Sequence, residues 1–164
     1  MEVVVADACS LILLTKVTVL ETLAGEVRLK IPAEVYSEAV TSGIARGYFD
    51  AMIIDALVKN GRISVEKVAK RTRLTAGLGK GEAEAIGLFL QLNADVLLTD
   101  NSRAIKTCKY LKIPFTISPR VVVSLCKKHK LPKEKGVKAL EILRIEGRYS
   151  PLIITEALHE LEVI

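Results

Sequence analysis

The chain has 164 residues, enough to bury the core of one ordinary domain without disulfide bonds. Hydrophobic residues make up 50% of it and charged residues 26%, a composition that excludes a disordered protein. The formal net charge is +5, and eleven of the Lys and Arg residues lie between residues 101 and 138 against one acid, which favours a surface that attracts polyanions.

The first elements alternate between strands and helices. Val3 to Ala6 is a short run of apolar residues, typical of a strand that is covered on both faces. We expect Ser10 to cap the helix that follows and Gly25 to close a second short helix. Val27 to Ile31 then alternate as a strand that stops at Pro32, where the next helix begins.

The middle of the chain contains further helix and strand patterns. The helix after Pro32 runs through Glu38, and Ile44 to Val58 has the pattern of an amphipathic helix that ends at an Asn-Gly turn. Arg62 to Val68 is predicted to be a strand. The stretch from Ala69 to Gly81 is basic and contains glycine, so we predict a mobile loop there.

The second half continues the alternation. Glu82 to Leu92 is predicted to be a helix, and Asp95 to Thr99 an apolar strand with Asp100 at its carboxyl end. The later elements are a helix (Ser102 to Leu111), a strand (Phe115 to Ile117) and three helices (Pro119 to His129, Glu134 to Glu146 and Pro151 to Glu162). We expect the last two helices to form a hairpin extension, residues 132–164, that packs on the sheet or on another subunit.

This alternation predicts an α/β fold, with a central, mostly parallel sheet and helices on both faces, in one domain of residues 1–164. Ligands of such folds bind beyond the carboxyl ends of the strands, where Asp7 and Asp100 both lie. Other acidic residues lie in helices, namely Glu38, Glu82 and Glu84.

Carboxylates that share a cleft repel one another unless a cation lies among them. Mg²⁺ and Mn²⁺ prefer oxygen ligands, and two such ions about 4 Å apart activate a water for attack on a phosphodiester. Each acid taken alone has an ordinary explanation as a helix cap or a solvated side chain. Their joint occurrence favours a metal site with Asp7, Glu38 and Asp100 as ligands and a further carboxylate from the pair Glu82 and Glu84.

The remaining features set the expected environment of the protein. The three cysteines form no CxxC pair, so we expect buried free thiols in a reducing cytoplasm. The longest apolar run is broken by Lys16, too early for a membrane span. The chain does not open on a signal-peptide pattern, and a cytoplasmic protein that does not enter the membrane is expected.

These motifs resemble those of PIN-domain ribonucleases, the family that includes the toxins of VapBC toxin-antitoxin pairs. The family's strand that ends in Asp before a small hydroxyl residue is matched by VVVADACS, with Asp7 and Ser10. Its Pro-x-x-Val-x-x-Glu helix is matched at Glu38, its third acidic motif by GEAEAI, and its Thr-Asp motif by Thr99 and Asp100. The GEAEAI form and the tail EILRIEGRYSPLIITEAL are similar to a prokaryotic subgroup of PIN-like proteins.

The resemblance implies a PIN-like three-layer α/β/α fold and a Mg²⁺- or Mn²⁺-dependent endoribonuclease. It implies catalytic roles for Asp7, Glu38, Glu82 and Asp100, with Glu82 preferred over Glu84 as the third acid. Residues expected to orient the ligands or bound water are Ser10, Thr99 and Asn101, the last where many relatives carry a further acid. Residues expected to hold RNA phosphates are Lys80, Arg103 and Lys106.

Two alternative functions and two protein partners are also considered. A catalytically weak PIN-like module that binds RNA or protein is the first alternative. A nucleotide-binding doubly wound domain is the second, and the chain has neither GxGxxG nor GxxxxGK[ST] to support it. The resemblance also implies a homodimer, through helices near Glu34 to Val58, and an antitoxin protein as a partner.

Overall fold

The computed structural model describes residues 1–69, 75 and 77–164. Within them, five strands form one sheet in the order β3-β2-β1-β4-β5, and every neighbouring pair is parallel. The strands are β1 (Val3–Ala6), β2 (Arg28–Pro32), β3 (Ile63–Glu66), β4 (Val96–Leu98) and β5 (Phe115–Thr116). The predicted α/β fold with a parallel sheet is confirmed.

Helices connect the strands and cover both faces of the sheet. They are α1 (Ala8–Lys16), α2 (Leu20–Glu26), α3 (Ala33–Tyr36), α4 (Ser42–Ala45), α5 (Phe49–Lys59), α6 (Lys80–Leu92), α7 (Ser102–Leu111), α8 (Ser118–Lys127), α9 (Lys133–Glu146) and α10 (Pro151–Glu162), with a π-helical segment (Ser37–Thr41) between α3 and α4. Because side chains alternate along a strand, Val4 faces the larger core with α1, α2, α5 and α8, while Val5 faces the smaller core with α6 and α7.

Several predicted boundaries are wrong for local reasons. The helix expected from Ile44 to Val58 is two helices, since Gly47 has φ +74° and ends the first one before α5 begins. Gly25 lies inside α2, and Asp7 rather than Ser10 is the cap of α1. Six of the thirteen residues of the loop predicted from Ala69 to Gly81, namely 70–74 and 76, lie outside the described residues, and α6 already begins at Lys80.

The last two helices pack on α8 rather than on the sheet. Leu140, Leu143 and Leu161 are fully buried in the larger core, together with Val122 of α8. A Cβ atom at Gly136 would lie 2.4 Å from the Cys126 sulfur, so α9 approaches α8 as closely as a glycine permits. The C-terminal hairpin therefore shares its core with the helix that follows β5.

The cysteines differ in burial. Cys108 and Cys126 are buried free thiols as predicted, but Cys9 is exposed at the start of α1.

No single helix of the described residues is long and apolar enough to cross a membrane. The consecutive pair α1 and α2 passes that test only when joined, and it is bent by 115°.

Candidate active site

The sheet order places two acidic motifs side by side. The connections after β1 and β4 leave in opposite directions, which makes the carboxyl ends of these neighbouring strands a topological switch point. Asp7 follows β1, and its N–H extends the ladder by donating to the Leu98 carbonyl at 3.2 Å. Thr99 and Asp100 follow β4, so they meet the Asp7 backbone at the same edge of the sheet.

Asp7 is buried, and each of its two oxygens accepts one hydrogen bond. Its side chain is 3% exposed, one oxygen accepts from the Ser10 N–H at 3.0 Å, and the other accepts from the Thr99 hydroxyl at 2.5 Å. The first contact makes Asp7 the N-cap of α1. Burial raises the pKa of Asp7 to about 6, although both hydrogen bonds oppose that rise.

Glu38 reaches the same region from the π-helical segment. Its carboxylate accepts from the Gly81 N–H at 3.1 Å, at the start of α6. A Cβ atom at Gly81 would lie 2.5 Å from a Glu38 oxygen, so any larger residue there displaces the carboxylate. Burial, then the charges of Glu82 and Glu34, raise the pKa of Glu38. Glu38 therefore stands among like charges.

The two acids of GEAEAI have different positions. Glu82 lies in the first turn of α6 and accepts from the Asn101 side-chain amide at 3.2 Å. Glu84 accepts from the Glu34 N–H at 3.1 Å and so satisfies the beginning of α3. Residues two apart on a helix point in different directions, and here one faces the acidic cleft while the other supports a neighbouring helix.

A pocket of about 440 Å³ joins these residues. Its acidic lining consists of Asp7, Glu38, Glu82 and Glu146, with Cys9 and Lys16 among the other lining residues. Asp100 and Glu84, two of the predicted ligands, do not line it. Glu146 ends α9, and no acidic motif in the sequence singled it out.

Asp100 does not line the pocket and is surrounded by hydrogen-bond donors. One oxygen accepts from the Ser118 N–H at 2.8 Å and from the Tyr149 hydroxyl at 2.5 Å. The other accepts from the hydroxyls of Ser10 at 2.7 Å and Ser118 at 2.5 Å. Burial and the Asp100 charge raise the pKa of Tyr149, which keeps the phenol a donor. The sequence reasoning identified Ser10 but neither Ser118 nor Tyr149.

The remaining predicted residues, on α6 and α7 and at the N-cap of α7, do not line the pocket. Asn101 caps α7 by accepting from the Ala104 N–H at 3.0 Å, while its side-chain amide donates to Glu82 at 3.2 Å. Lys80 forms an ion pair with Glu34 at 3.2 Å. Arg103 and Lys106 are exposed on α7 and form no ion pair with any described residue.

The donor set fits a hard, hydrated cation. Among the described residues, no group of three or more acidic, histidine or cysteine side chains stands close enough to enclose one ion. Mg²⁺ does not require such a cage, because it keeps several waters and is usually held by one or two carboxylates. Asp7, Glu38 and Glu82 offer only oxygen atoms to the pocket, which matches that preference.

The chain is similar to known proteins in both sequence and fold. Residues 3–162 match the sequence profile of a family described as PIN domain (DUF3368). Among solved structures, the chain is similar to a PilT N-terminus domain protein from the hyperthermophilic archaeon Sulfolobus solfataricus P2, with 20% identity and a TM-score of 0.56. The match covers 74% of this chain and 92% of that one, and at this identity it shows the fold alone. No match was found among curated proteins.

We predict that Asp7→Asn stabilises the metal-free protein at neutral pH. The pKa of Asp7 rises from 3.8 to about 6 on folding, so the folded protein holds this proton more tightly than the unfolded chain does. The Asp7 contribution to the free energy of unfolding is therefore fully present below pH 3.8 and is lost as the pH rises through 6. Asn keeps the helix cap without the buried charge. In urea titrations with EDTA, the free energy of unfolding of the variant should exceed that of the wild type by on the order of 2 kcal/mol at pH 7.5 and by little at pH 4. Equal stability at pH 7.5 would contradict the prediction.

Proposed function

Because the chain belongs to the PIN-domain family, whose fold is of the nuclease type, we propose that it is a metal-dependent endoribonuclease that hydrolyses RNA phosphodiesters. The observation that carries the proposal is the pocket at the switch point of the sheet. There the buried Asp7 meets Glu38 and Glu82, and none of these three carboxylates forms an ion pair with another residue that the structure describes. Such a set is stabilised by binding a divalent cation.

The chain prepares each carboxylate for this role. Thr99 and the α1 N-terminus fix both oxygens of Asp7, and the Gly81 N–H fixes Glu38. The Asn101 amide fixes Glu82. These three residues would hold Mg²⁺ or Mn²⁺, and the ion, when bound, lowers the pKa of a water and stabilises the leaving oxygen. Prearranged donors reduce the reorganisation that binding requires.

RNA is the proposed substrate because exposed basic side chains lie on the helix that Asn101 caps. Arg103 and Lys106 lie exposed on α7, whose first turn begins at the Asn101 that holds Glu82. Their guanidinium and ammonium groups suit phosphate oxygens. Aromatic residues are 4% of the chain and Trp is absent, which favours recognition of the RNA backbone over base stacking.

A catalytically weak RNA- or protein-binding module is the second candidate. It is favoured by Asn101, an amide where an acid would add a further ligand, and by the occupied oxygens of Asp100. The role of toxin in a toxin-antitoxin pair, with an antitoxin protein as partner, rests on family likeness alone. The two candidates differ in one measurable property, the cleavage of RNA.

We predict cleavage of end-labelled RNA in Mn²⁺ or Mg²⁺ and its loss in EDTA. Asp7→Asn should lower cleavage to the level of the EDTA control while the variant still folds, because the cap and the Thr99 contact tolerate an amide. Gel electrophoresis with circular dichroism measures both properties. Intact RNA with either ion, from folded wild-type protein, would favour the binding module instead.

We predict that the two acids of GEAEAI differ in their effect on Mn²⁺ affinity, which falls when Glu82 is changed and stays the same when Glu84 is changed. Glu82→Gln should weaken Mn²⁺ binding about tenfold, equal to about 1.4 kcal/mol, since it removes a carboxylate from the pocket. Glu84→Gln is the matched control, since Glu84 contacts the Glu34 N–H outside the pocket. Isothermal titration calorimetry with MnCl₂ measures both affinities. An equal loss in both variants would show that the pocket does not distinguish them.

We also propose homodimerisation through α4 and α5. Four apolar side chains of this region are exposed: Ile44, Tyr48, Phe49 and Met52. Phe49 is 72% exposed, more than a side chain of its size usually is in a monomer.

We predict that Phe49→Asp converts a wild-type dimer to a monomer in light scattering at micromolar concentration, because it places a charge in the apolar surface. Tyr110→Asp is the matched control, as Tyr110 is an exposed aromatic residue on α7. A wild-type monomer, or a dimer that survives Phe49→Asp, would refute this interface.

A further inference from the structure

A second pocket, here called the basic pocket, lies at the end of the sheet opposite the acidic one. It has a volume of about 560 Å³ and is formed where β2 and β3 begin, beside the end of α2. Its basic lining consists of Arg28, Lys30 and Arg62, and no acidic side chain of the described residues lines it. Since β2 is five residues long, about 15 Å of strand separates this pocket from the edge of the sheet where Asp7 lies.

The strand register brings two of these basic residues side by side. Leu29 of β2 pairs with Ile63 of β3, so the residues that precede them, Arg28 and Arg62, are neighbours where the two parallel strands begin. Like charges on neighbouring strands repel each other. An anion that lies between the two guanidinium groups would relieve this repulsion.

Neither arginine has an acidic partner in the part of the chain that the structure describes. Lys30, the third basic group, pairs with Glu66 at 2.9 Å. The side chains of Arg28 and Arg62, in contrast, form no ion pair and no hydrogen bond with any described residue, and both residues are exposed. Each guanidinium group therefore offers its N–H donors to a ligand in the basic pocket.

The position of Arg62 alone has an ordinary explanation. Its guanidinium lies against α2, since a Cβ atom at Gly25 would be 3.3 Å from the Arg62 Nη1 atom. Helix α2 ends one residue later, at Glu26, and a cation stabilises the C-terminal end of a helix. That explanation does not extend to Arg28, which is the first residue of β2 and adds a second positive charge to the same pocket.

We propose that the basic pocket binds the terminal phosphate group of a small molecule, with Arg28 and Arg62 as its two contacts. A guanidinium group holds phosphate oxygens through two parallel N–H donors. A terminal phosphate carries a charge of about −2 at neutral pH, which two arginines match. The volume of the pocket is that of a small-molecule site and admits a molecule as large as a mononucleotide.

Calorimetric titration of the full chain with sodium phosphate and with AMP tests this assignment. The titrations contain EDTA, so that no cation in the acidic pocket attracts the phosphate, and NaCl keeps the ionic strength constant. Arg28→Gln and Arg62→Gln should each weaken binding about tenfold. Lys135→Gln removes an equal charge from an exposed position of α9 outside the pocket and should bind as the wild type does.

Nuclear magnetic resonance locates the bound phosphate. Gly25 and Gly61 line the basic pocket, and their amide resonances should shift as phosphate is added. The amide resonance of Gly81, which contacts Glu38 at the acidic pocket, should not shift. Urea titrations measure folding separately, because Arg62 also contacts α2. Phosphate should raise the free energy of unfolding of the wild type more than that of either arginine variant.

The outcomes distinguish the sources of the phosphate. Equal affinities for phosphate and AMP identify the free ion as sufficient, and tighter binding of AMP identifies a ligand of nucleotide size. Absence of saturable binding of both, or equal affinity in the wild type and both arginine variants, would overturn the proposal. Binding of single-stranded RNA that depends on Arg28 and Arg62, without binding of phosphate or AMP, would also overturn it and assign the pocket to the RNA backbone. None of these outcomes depends on Mn²⁺ binding or RNA cleavage, so this inference and the proposed function can fail separately.

Discussion

The burial of one negative charge between two parallel strands governs the architecture of the site. Asp7 follows the central strand and is buried apart from the side that lines the pocket, so a carboxylate without hydrogen-bond partners there would be strongly destabilising. Helix α1 begins at that point and supplies an N–H, and β4 ends beside it and supplies the Thr99 hydroxyl. The ends of two strands and the start of one helix are thereby fixed relative to each other.

The different positions of the carboxylates around Asp7 depend on the residues that contact them. Gly81 lets Glu38 approach the start of α6, and Asn101 draws Glu82 toward β4. Two positions further along α6, Glu84 satisfies the backbone of α3 instead. Two acids that lie two positions apart on one helix therefore have different roles, one as a candidate ligand and the other in stabilising the fold.

The strands, the meeting of their carboxyl ends and two of the acids can be predicted from local sequence patterns. Apolar runs identify β1 and β4, the switch-point rule brings Asp7 and Thr99 together, and the motifs indicate Glu38 and Glu82. The break at Gly47 was missed because the apolar pattern continues across it, and only a positive φ reveals the turn.

The roles of Ser118, Tyr149 and Glu146 depend on contacts between distant parts of the chain. Asp100 meets Tyr149 across 49 residues, and no periodicity or motif in either segment encodes their approach. The Thr-Asp pattern identified an important residue, but the direction of the Asp100 side chain depends on where α8 and the α9–α10 connection lie.

The Asp100 contacts also have a consequence for the order in which the protein is made. They join Ser10 to Asp100 across 90 residues and Asp100 to Tyr149 across 49, so the network spans most of the chain. Segments close to the N-terminus emerge from the ribosome first, and contacts of such high sequence separation form late in folding. β1, α1 and β4 are synthesised well before the hairpin that fastens them, so a nascent chain holds three of the pocket's acids and lacks the fourth. The acidic lining of the pocket is therefore completed only after α9 has been synthesised.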